Sequence, residues 1–426
     1  MTFQENNLAD LCEIVSSKRV FAASYQSEGI PFYRGKEISQ LARGEKTTAE
    51  LYISKEVYRD VISRTGPINP GDILLTAVGT LGNPYLVKES NLPFYFKDGN
   101  IVWLRNYSEL IDANFLFYWL NSEYGRRKVL DTAIGSTQAA LTISGLGEIE
   151  ISFPSRSQQD GIVNILSAID EKISVNNALS KTLEDIAQTI FKSWFIDFDP
   201  VKAKMAGEKP AGMDAATAAL FPDTMEESEL GLIPKGWKVE RFGEVNNLLM
   251  GQSPPGDTYN SEGEGLPFYQ GRTDFGFRFP KQRIFCTQEN RVALPGEILV
   301  SVRAPVGDVN QAIEKCIIGR GVASALHKSN SGAYTFSLLK SLYPRLAYYN
   351  GEGTVFGAIN RNDFNNMLIV EPPASLVDSF EASCGPMNAK IRSLFLSTEA
   401  LIQLRDLLLP RLISGELQIP EEMLVS

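Results

Sequence analysis

Residues 29–35 read GIPFYRG, and residues 265–271 read GLPFYQG, 236 positions later. The echo continues in order. PGDILLTAVGTLG (70–82) is answered by PGEILVSVRAPVG (295–307), and FLFYWLNS (115–122) by YTFSLLKS (334–341). GSTQAALT (135–142) is answered by GTVFGAIN (353–360), and EIEISFP (148–154) by NMLIVEP (366–372). The offset drifts from 236 to 225 to 218. Kept order with drifting spacing describes two related domains with different loops, since a solenoid would repeat every 20–50 residues or so. Each block is a set of short β-branched or aromatic runs broken by Gly and Pro, with one helical stretch near 112–130 or 334–348. The blocks therefore read as α+β.

Each block is followed by a long helical pattern. Ile162, Leu166, Ile169, Ile173, Asn176, Ser180, Leu183, Ala187, Ile190 and Trp194 are spaced by alternating steps of four and three, a sustained heptad. The same seam, shifted by 218, runs through Phe380, Cys384, Met387, Ile391, Leu394, Thr398, Leu401, Arg405, Leu408 and Leu412. Arg405 is out of place there. A helix of roughly 35 residues is ~50 Å long, and so narrow an apolar stripe cannot hold it alone. The expectation is an antiparallel coiled coil, with Asn176, Ser180 and Thr398 as a polar layer fixing register. The alternative is two separate helices, each lying on its own domain.

These patterns divide the chain into a first domain (1–155), a first long helix (156–200), a linker (201–234), a second domain (235–372) and a second long helix with its tail (373–426). The linker, rich in Pro, Gly, Ala and acid, reads as a surface connector. A length of 426 residues suits about three domains. No run approaches the ~18 apolar residues of a membrane span, and the start, MTFQENNLADLCEIV, does not resemble a signal peptide. Cys12, Cys286, Cys316 and Cys384 are scattered without a CxxC, which points to reduced thiols in a cytoplasmic compartment and away from zinc. The net charge of −10 argues against nucleic acid. Its distribution argues less: the second domain has 15 Lys/Arg against 13 Asp/Glu, the first 15 against 18, and every other segment is more acidic in proportion.

Catalytic patterns are missing. There is one histidine, His327, no phosphate-binding GxxxxGK[ST], and no GxGxxG following a strand. Asn83-Pro84-Tyr85 lacks the second proline of the amino-methyltransferase loop and reads as a turn. What is present suits binding. Arg34, Lys36, Arg272, Arg278, Lys281, Arg283, Arg303 and Arg320 sit near turns among Tyr, Gln, Ser and Thr. Arg can read guanine bidentately and Gln adenine, while Ser, Thr and backbone amides hold phosphates.

Together, the doubled GxPFY and PG[DE]IL segments, the central segment 157–205, LIPKGWKVERFGEV (232–245) and LLLPRLISGEL (407–417) resemble the specificity subunits of type I restriction–modification enzymes. The resemblance spans essentially the whole chain. It implies a non-catalytic subunit bound to double-stranded DNA, with each domain reading one half of a bipartite, asymmetric target. The helix pair would set the gap and dock two adenine-N6 methyltransferase subunits, and through them the translocase–endonuclease subunits. S-adenosylmethionine, ATP and Mg²⁺ would belong to those partners. The expected DNA contacts in the first domain are Tyr33, Arg34, Lys36, Thr76, Thr80, Ser136, Thr137 and Gln138. In the second they are Gln252, Ser253, Gln270, Arg272, Arg303, Arg320, Asn360 and Arg361. GQSPP (251–255) matches the family's Gly-x-Ser/Thr-Pro loop, whereas the first domain has KRVFAAS (18–24) there. A protein-binding coiled-coil adaptor without DNA is the competing reading, favoured by the net charge.

Overall fold

The runs that follow the two Pro-Gly turns, Ile73–Thr76 and Ile298–Ser301, become inner strands of two four-stranded antiparallel sheets. A computed structural model describes residues 3–45, 47–135, 139–351, 357–420, 422 and 424. The first sheet runs Glu13–Ser16, Ile101–Arg105, Ile73–Thr76, Pro84–Leu86, and the second Asn246–Met250, Val322–His327, Ile298–Ser301, Val309–Gln311. Their registers correspond residue for residue: Thr76 faces Ile101 and Leu75 faces Pro84, while Ser301 faces Val322 and Val300 faces Val309. The inner strands are buried on both faces, which is why they read as continuous apolar runs.

The PFY echo is a strand of a second sheet in each domain. Ile30–Tyr33 pairs antiparallel with Tyr52–Ile53 and parallel with Tyr95–Phe96; Leu266–Tyr269 pairs antiparallel with Phe285–Cys286 and parallel with Cys316–Ile318. The domains differ in what connects these strands. The first inserts helices Gly35–Ala42 and Lys55–Thr65, and the second has a short 3-10 turn, Arg272–Asp274, and an added strand, Val292–Ala293.

Two compact units result: residues 1–174 with 398–426, and residues 175–397. Both long helices, Arg156–Phe195 and Ala374–Ile413, contribute to each unit. In the first, Ile162 and Leu166 join Leu408 and Leu412 in one core with Phe115 and Trp119. In the second, Phe191 and Trp194 pack on Phe380, with Ala187 and Cys384 in the same core. The start of one helix thus meets the end of the other, and its end meets the other's start, an antiparallel pairing.

Of the expected seam, Ile162, Leu166, Ile169, Asn176, Ser180, Ala187, Trp194, Phe380, Cys384, Ile391, Leu394, Thr398 and Leu412 are buried. Ile173, Leu183, Ile190, Met387, Leu401 and Leu408 are half-buried. Asn176 donates to Ser397 Oγ at 3.4 Å. Arg405, the residue that broke the apolar pattern, reaches Asp170 at 2.9 Å, and the Tyr118 hydroxyl donates to the same carboxylate at 2.8 Å. Its long stem packs while its charge finds a partner across the seam.

Segment 201–234 is more than the solvated connector expected. Val201, Phe221 and Ile233 are buried in the core that holds Trp194 and Trp237, and Met225–Ser228 pairs with Gly231–Pro234 as a hairpin. Met205, Leu220, Leu230 and Leu232 of the same segment stay exposed. No helix among the described residues is long and apolar enough to cross a membrane, and no cluster there could hold a metal ion. All four cysteines are free and buried.

Candidate nucleic-acid interface

The loops carrying most of the expected contacts leave one end of each domain's sheets, and a repeated polar scaffold shapes them. Thr76 Oγ1 donates to the Thr80 carbonyl at 2.5 Å and accepts the Asn83 amide at 3.0 Å. Ser301 Oγ donates to the Pro305 carbonyl at 2.7 Å and accepts the Asp308 amide at 2.9 Å. The turn of each hairpin is thereby closed from inside by one buried hydroxyl, at the same offset of 225. Just beyond it, Ala77 receives Leu141 and Val302 receives Ile359 by backbone bonds, so residues 139–142 and 357–360 lie beside these hairpins. Removing either hydroxyl leaves one carbonyl and one amide of the turn without their partner. Thr76→Val and Ser301→Ala are each expected to cost about 1–3 kcal/mol, to be measured by chemical denaturation.

In the second domain, three further segments, 252–253, 269–270 and 318–321, meet the hairpin at this end. The Gln252 amide donates to Ile318, the Arg320 amide to Ser253 Oγ at 3.3 Å, the Gly319 amide to Tyr269, and the Val302 amide to Gly321. A Cβ on Gly321 would sit 2.2 Å from the Gln270 carbonyl, so only glycine permits this approach. Gln252, Gln270, Arg272, Arg303 and Arg320 are exposed here, with Ser253 half-exposed. Arg272 is paired with Asp308 at 2.8 Å; Arg303 and Arg320 form no ion pair among the described residues. Asn360 caps the helix Arg361–Asn365 by accepting the Asp363 amide. Arg361 lines a separate open groove with Asn246, Glu297 and Glu381.

The first domain presents the same frame. The Lys97 amide donates to Tyr33 and the Ala77 amide to Asn100, matching Gly319 on Tyr269 and Val302 on Gly321. Arg34 donates to Glu37 at 2.8 Å and Glu50 at 2.5 Å, and Lys36 reaches Glu50 at 2.5 Å. Burial of Glu37 opposes its ionisation, but the Arg34 guanidinium and backbone bonds hold its pKa below the usual range. Lys36, then Arg34, likewise depress that of Glu50.

Several expected contacts are structural. Tyr33 is buried, its ring against Phe94 and its pKa raised by burial, so its face is taken by the core. Thr76 is wholly buried as the turn hub, while Thr80 is exposed. Ser136, Thr137 and Gln138 lie outside the described residues. Arg278, grouped with the turn arginines by sequence, is buried: its guanidinium lies 3.2 Å from the Phe336 ring centroid and donates to Asn388 at 2.9 Å. Arg283 is tied to Asp274 at 2.5 Å. His327 is buried between Ser329 and Glu371, and the Asn-Pro-Tyr lookalike is a strand start whose Tyr85 is buried and bonded to Asn91.

Lys18, Arg19 and Phe21, all exposed, and the half-buried Lys97 also lie on these loops and are not among the contacts expected from the sequence. The segment KRVFAAS departs from the Gly-x-Ser/Thr-Pro letters, yet its backbone repeats the second domain's loop at an offset of 234. The Tyr25 hydroxyl donates to Val20 at 3.3 Å and the Tyr259 hydroxyl to Pro254 at 2.7 Å. The Ser24 amide donates to Phe21, and the Thr258 amide to Pro255. The signal was available in the Tyr-x-Ser of 25–27 and 259–261.

Residues 1–185 match the family model described as type I restriction modification DNA specificity domain. A Methanocaldococcus jannaschii protein with the provisional name of type I restriction enzyme MjaX specificity subunit is 28% identical over 389 residues, covering 87% of this chain and 83% of its own. The type I restriction enzyme HindI specificity subunit of Haemophilus influenzae is 24% identical over 409 residues, covering 82% and 87%. The crystal structure of the type I restriction-modification system S subunit from M. genitalium has the same fold, with a TM-score of 0.60 at 17% identity over 96% of both chains.

Proposed function

The chain belongs to the type I restriction–modification specificity subunits, and from that premise we propose that it is the DNA-reading subunit of such a complex, each domain reading one half of a bipartite target. The observation that carries this reading is the pairing of one scaffold with two sets of exposed side chains. The closing hydroxyls Thr76 and Ser301 and the loop bonds at Tyr33 and Tyr269 correspond, whereas Lys97 stands where the second domain has Gly319, and Arg34 where it has Gln270. Constant framework with changed readers is what an asymmetric target requires.

In this reading the helix pair sets the gap between half-sites and docks two adenine-N6 methyltransferase subunits, which bring the restriction subunits. S-adenosylmethionine, ATP and Mg²⁺ act on those partners, and this chain catalyses nothing. Free arginines such as Arg303 and Arg320 serve as base or phosphate donors, with much of the phosphate clamp left to the partners, in keeping with the overall acidity.

The test is a genome-wide map of N6-methyladenine in cells with and without the gene. Loss of methylation at one bipartite motif supports the reading. An unchanged map, with an active methyltransferase partner present, would favour the protein-only adaptor. Arg303→Ala in the assembled complex is expected to relax one half of the motif by about ten- to a hundred-fold in discrimination at a single position. Uniform weakening at every sequence, with a shallower salt dependence, would make Arg303 a phosphate contact instead.

A further inference from the structure

We propose that Arg19 and Phe21 are specificity-determining residues of the first domain, contacting a base pair of its half-site from the loop position that Ser253 and Pro255 occupy in the second. The inference rests on the DNA-reading function proposed above and adds a contact pair that the repeated sequence motifs do not contain.

Three observations meet here. The first is positional. The backbone from Glu13 to Gln26 follows that from Asn247 to Asn260 without insertion: Ser16 faces Val102 as Met250 faces Ala323, and the 3-10 turns Ala22–Ser24 and Gly256–Thr258 coincide at the same offset. Residues 18–21 therefore lie where Gln252 to Pro255 lie, on the loop whose Ser253 holds the backbone of Arg320.

The second is the contrast between anchor and tip. Val20 is buried and its carbonyl is held by Tyr25, while Phe21, its neighbour, is 66% exposed. A phenyl ring on a braced loop gains nothing from water, and most of this one stays exposed. The third is that Arg19 lies over this ring at 5.3 Å and forms no ion pair among the described residues. Stacking on the ring orders the guanidinium without using its fork of donors. Unlike Arg34 and Lys36, which Glu37 and Glu50 occupy, Arg19 keeps all its hydrogen-bonding capacity for a ligand.

Duplex DNA offers what this pair lacks. A guanidinium reads the O6 and N7 edge of guanine, and a phenyl ring packs on the C5-methyl of thymine or on an exposed base face. The second domain's Gln252 and Ser253 present amide and hydroxyl chemistry from the same position, so the two loops would select different bases.

The experiment uses the full chain assembled with its methyltransferase partner. N6-methyladenine is mapped in cells producing the wild type, Arg19→Ala, Phe21→Ala, the double variant and the conservative Phe21→Leu, and thermal melting of each purified chain checks folding. Expected are unchanged melting and a motif degenerate at one or two adjacent positions of one half. Discrimination there should fall by about ten- to a hundred-fold, with the other half intact and Phe21→Leu intermediate. The proposal is overturned if the double variant methylates the unchanged motif, or if methylation falls equally at all sites with both halves preserved. If the wild type itself directs no bipartite methylation, the DNA-reading function fails first, and this proposal with it.

Discussion

Arg278→Ala is expected to destabilise residues 175–397 by about 3–5 kcal/mol, the cost of leaving a buried charge without its partner. Arg278 is 3% exposed and Glu184, on the first long helix, 5%. Their closest atoms are 3.7 Å apart, and Glu184 also meets Lys340 at 3.3 Å. The guanidinium donates to Asn388 on the second long helix at 2.9 Å and rests on Phe336. One side chain from a loop of the second domain therefore touches both long helices. Burial pushes its pKa down to about 10, so it remains charged at neutral pH and the charge needs compensation. Truncation strands Glu184 against Lys340, whose own side chain is 38% exposed. Arg278→Met with Glu184→Gln removes both charges and keeps the volume, and should recover more than half of the loss. Hydrogen-exchange mass spectrometry, read at residues 276–281, 332–341 and 381–392, separates this local loosening from global unfolding. Equal protection in wild type and Arg278→Ala would mean that the pair contributes nothing net.

Arg278 also marks the limit of what the sequence makes legible. The repeat and the helical seam were readable because both rest on spacing. Five motifs in fixed order gave two matched domains, and steps of four and three gave the helix pair. Individual side chains were harder, since sequence alone does not say whether an arginine near a turn points outward like Arg303 or inward like Arg278. Repetition itself misled at Tyr33 and Thr76. Positions kept alike in both domains mark what both build, a buried ring at Tyr33 and Tyr269 and a closing hydroxyl at Thr76 and Ser301. The two domains differ instead in exposed letters, such as Gln270 against the part-buried Arg34, which Glu37 and Glu50 hold, or Arg19 against Ser253. The KRVF loop was overlooked for that reason: its outward residues share nothing with QSPP, while the equivalence resides in a tyrosine hydroxyl bond five residues on. Arg405 is the converse case. It looked like a defect in the apolar seam because its partner, Asp170, is 235 residues away.

Phe380→Ala is expected to cost about 3–5 kcal/mol, the usual range for emptying an aromatic site in a close-packed core. Phe380 is fully buried on the second long helix, its ring 5.5 Å from Phe195, 5.6 Å from Phe191, 6.0 Å from Trp194 and 6.4 Å from Tyr334. Phe191, Trp194 and Phe195 lie on the first long helix, and Tyr334 belongs to the second domain, so the ring is shared among three elements. Aromatic pairs of this kind add about 0.5–1.5 kcal/mol each beyond burial, and all four are lost together. The first half fills the matching position differently. Ile162, 218 residues earlier, sits among Leu166, Leu408 and Leu412, where aliphatic neighbours can close in on a smaller side chain. Ile162→Val should therefore cost only about 0.5–1.5 kcal/mol. Phe380→Leu, retaining most of the volume, should fall between. Denaturant titration followed by near-UV circular dichroism, which reports the packing of these rings, orders the three variants. If Phe380→Ala proved as mild as Ile162→Val, the aromatic cluster would be a filler that neighbours replace, and the rigidity of this junction would have to come from Arg278 and its partners instead.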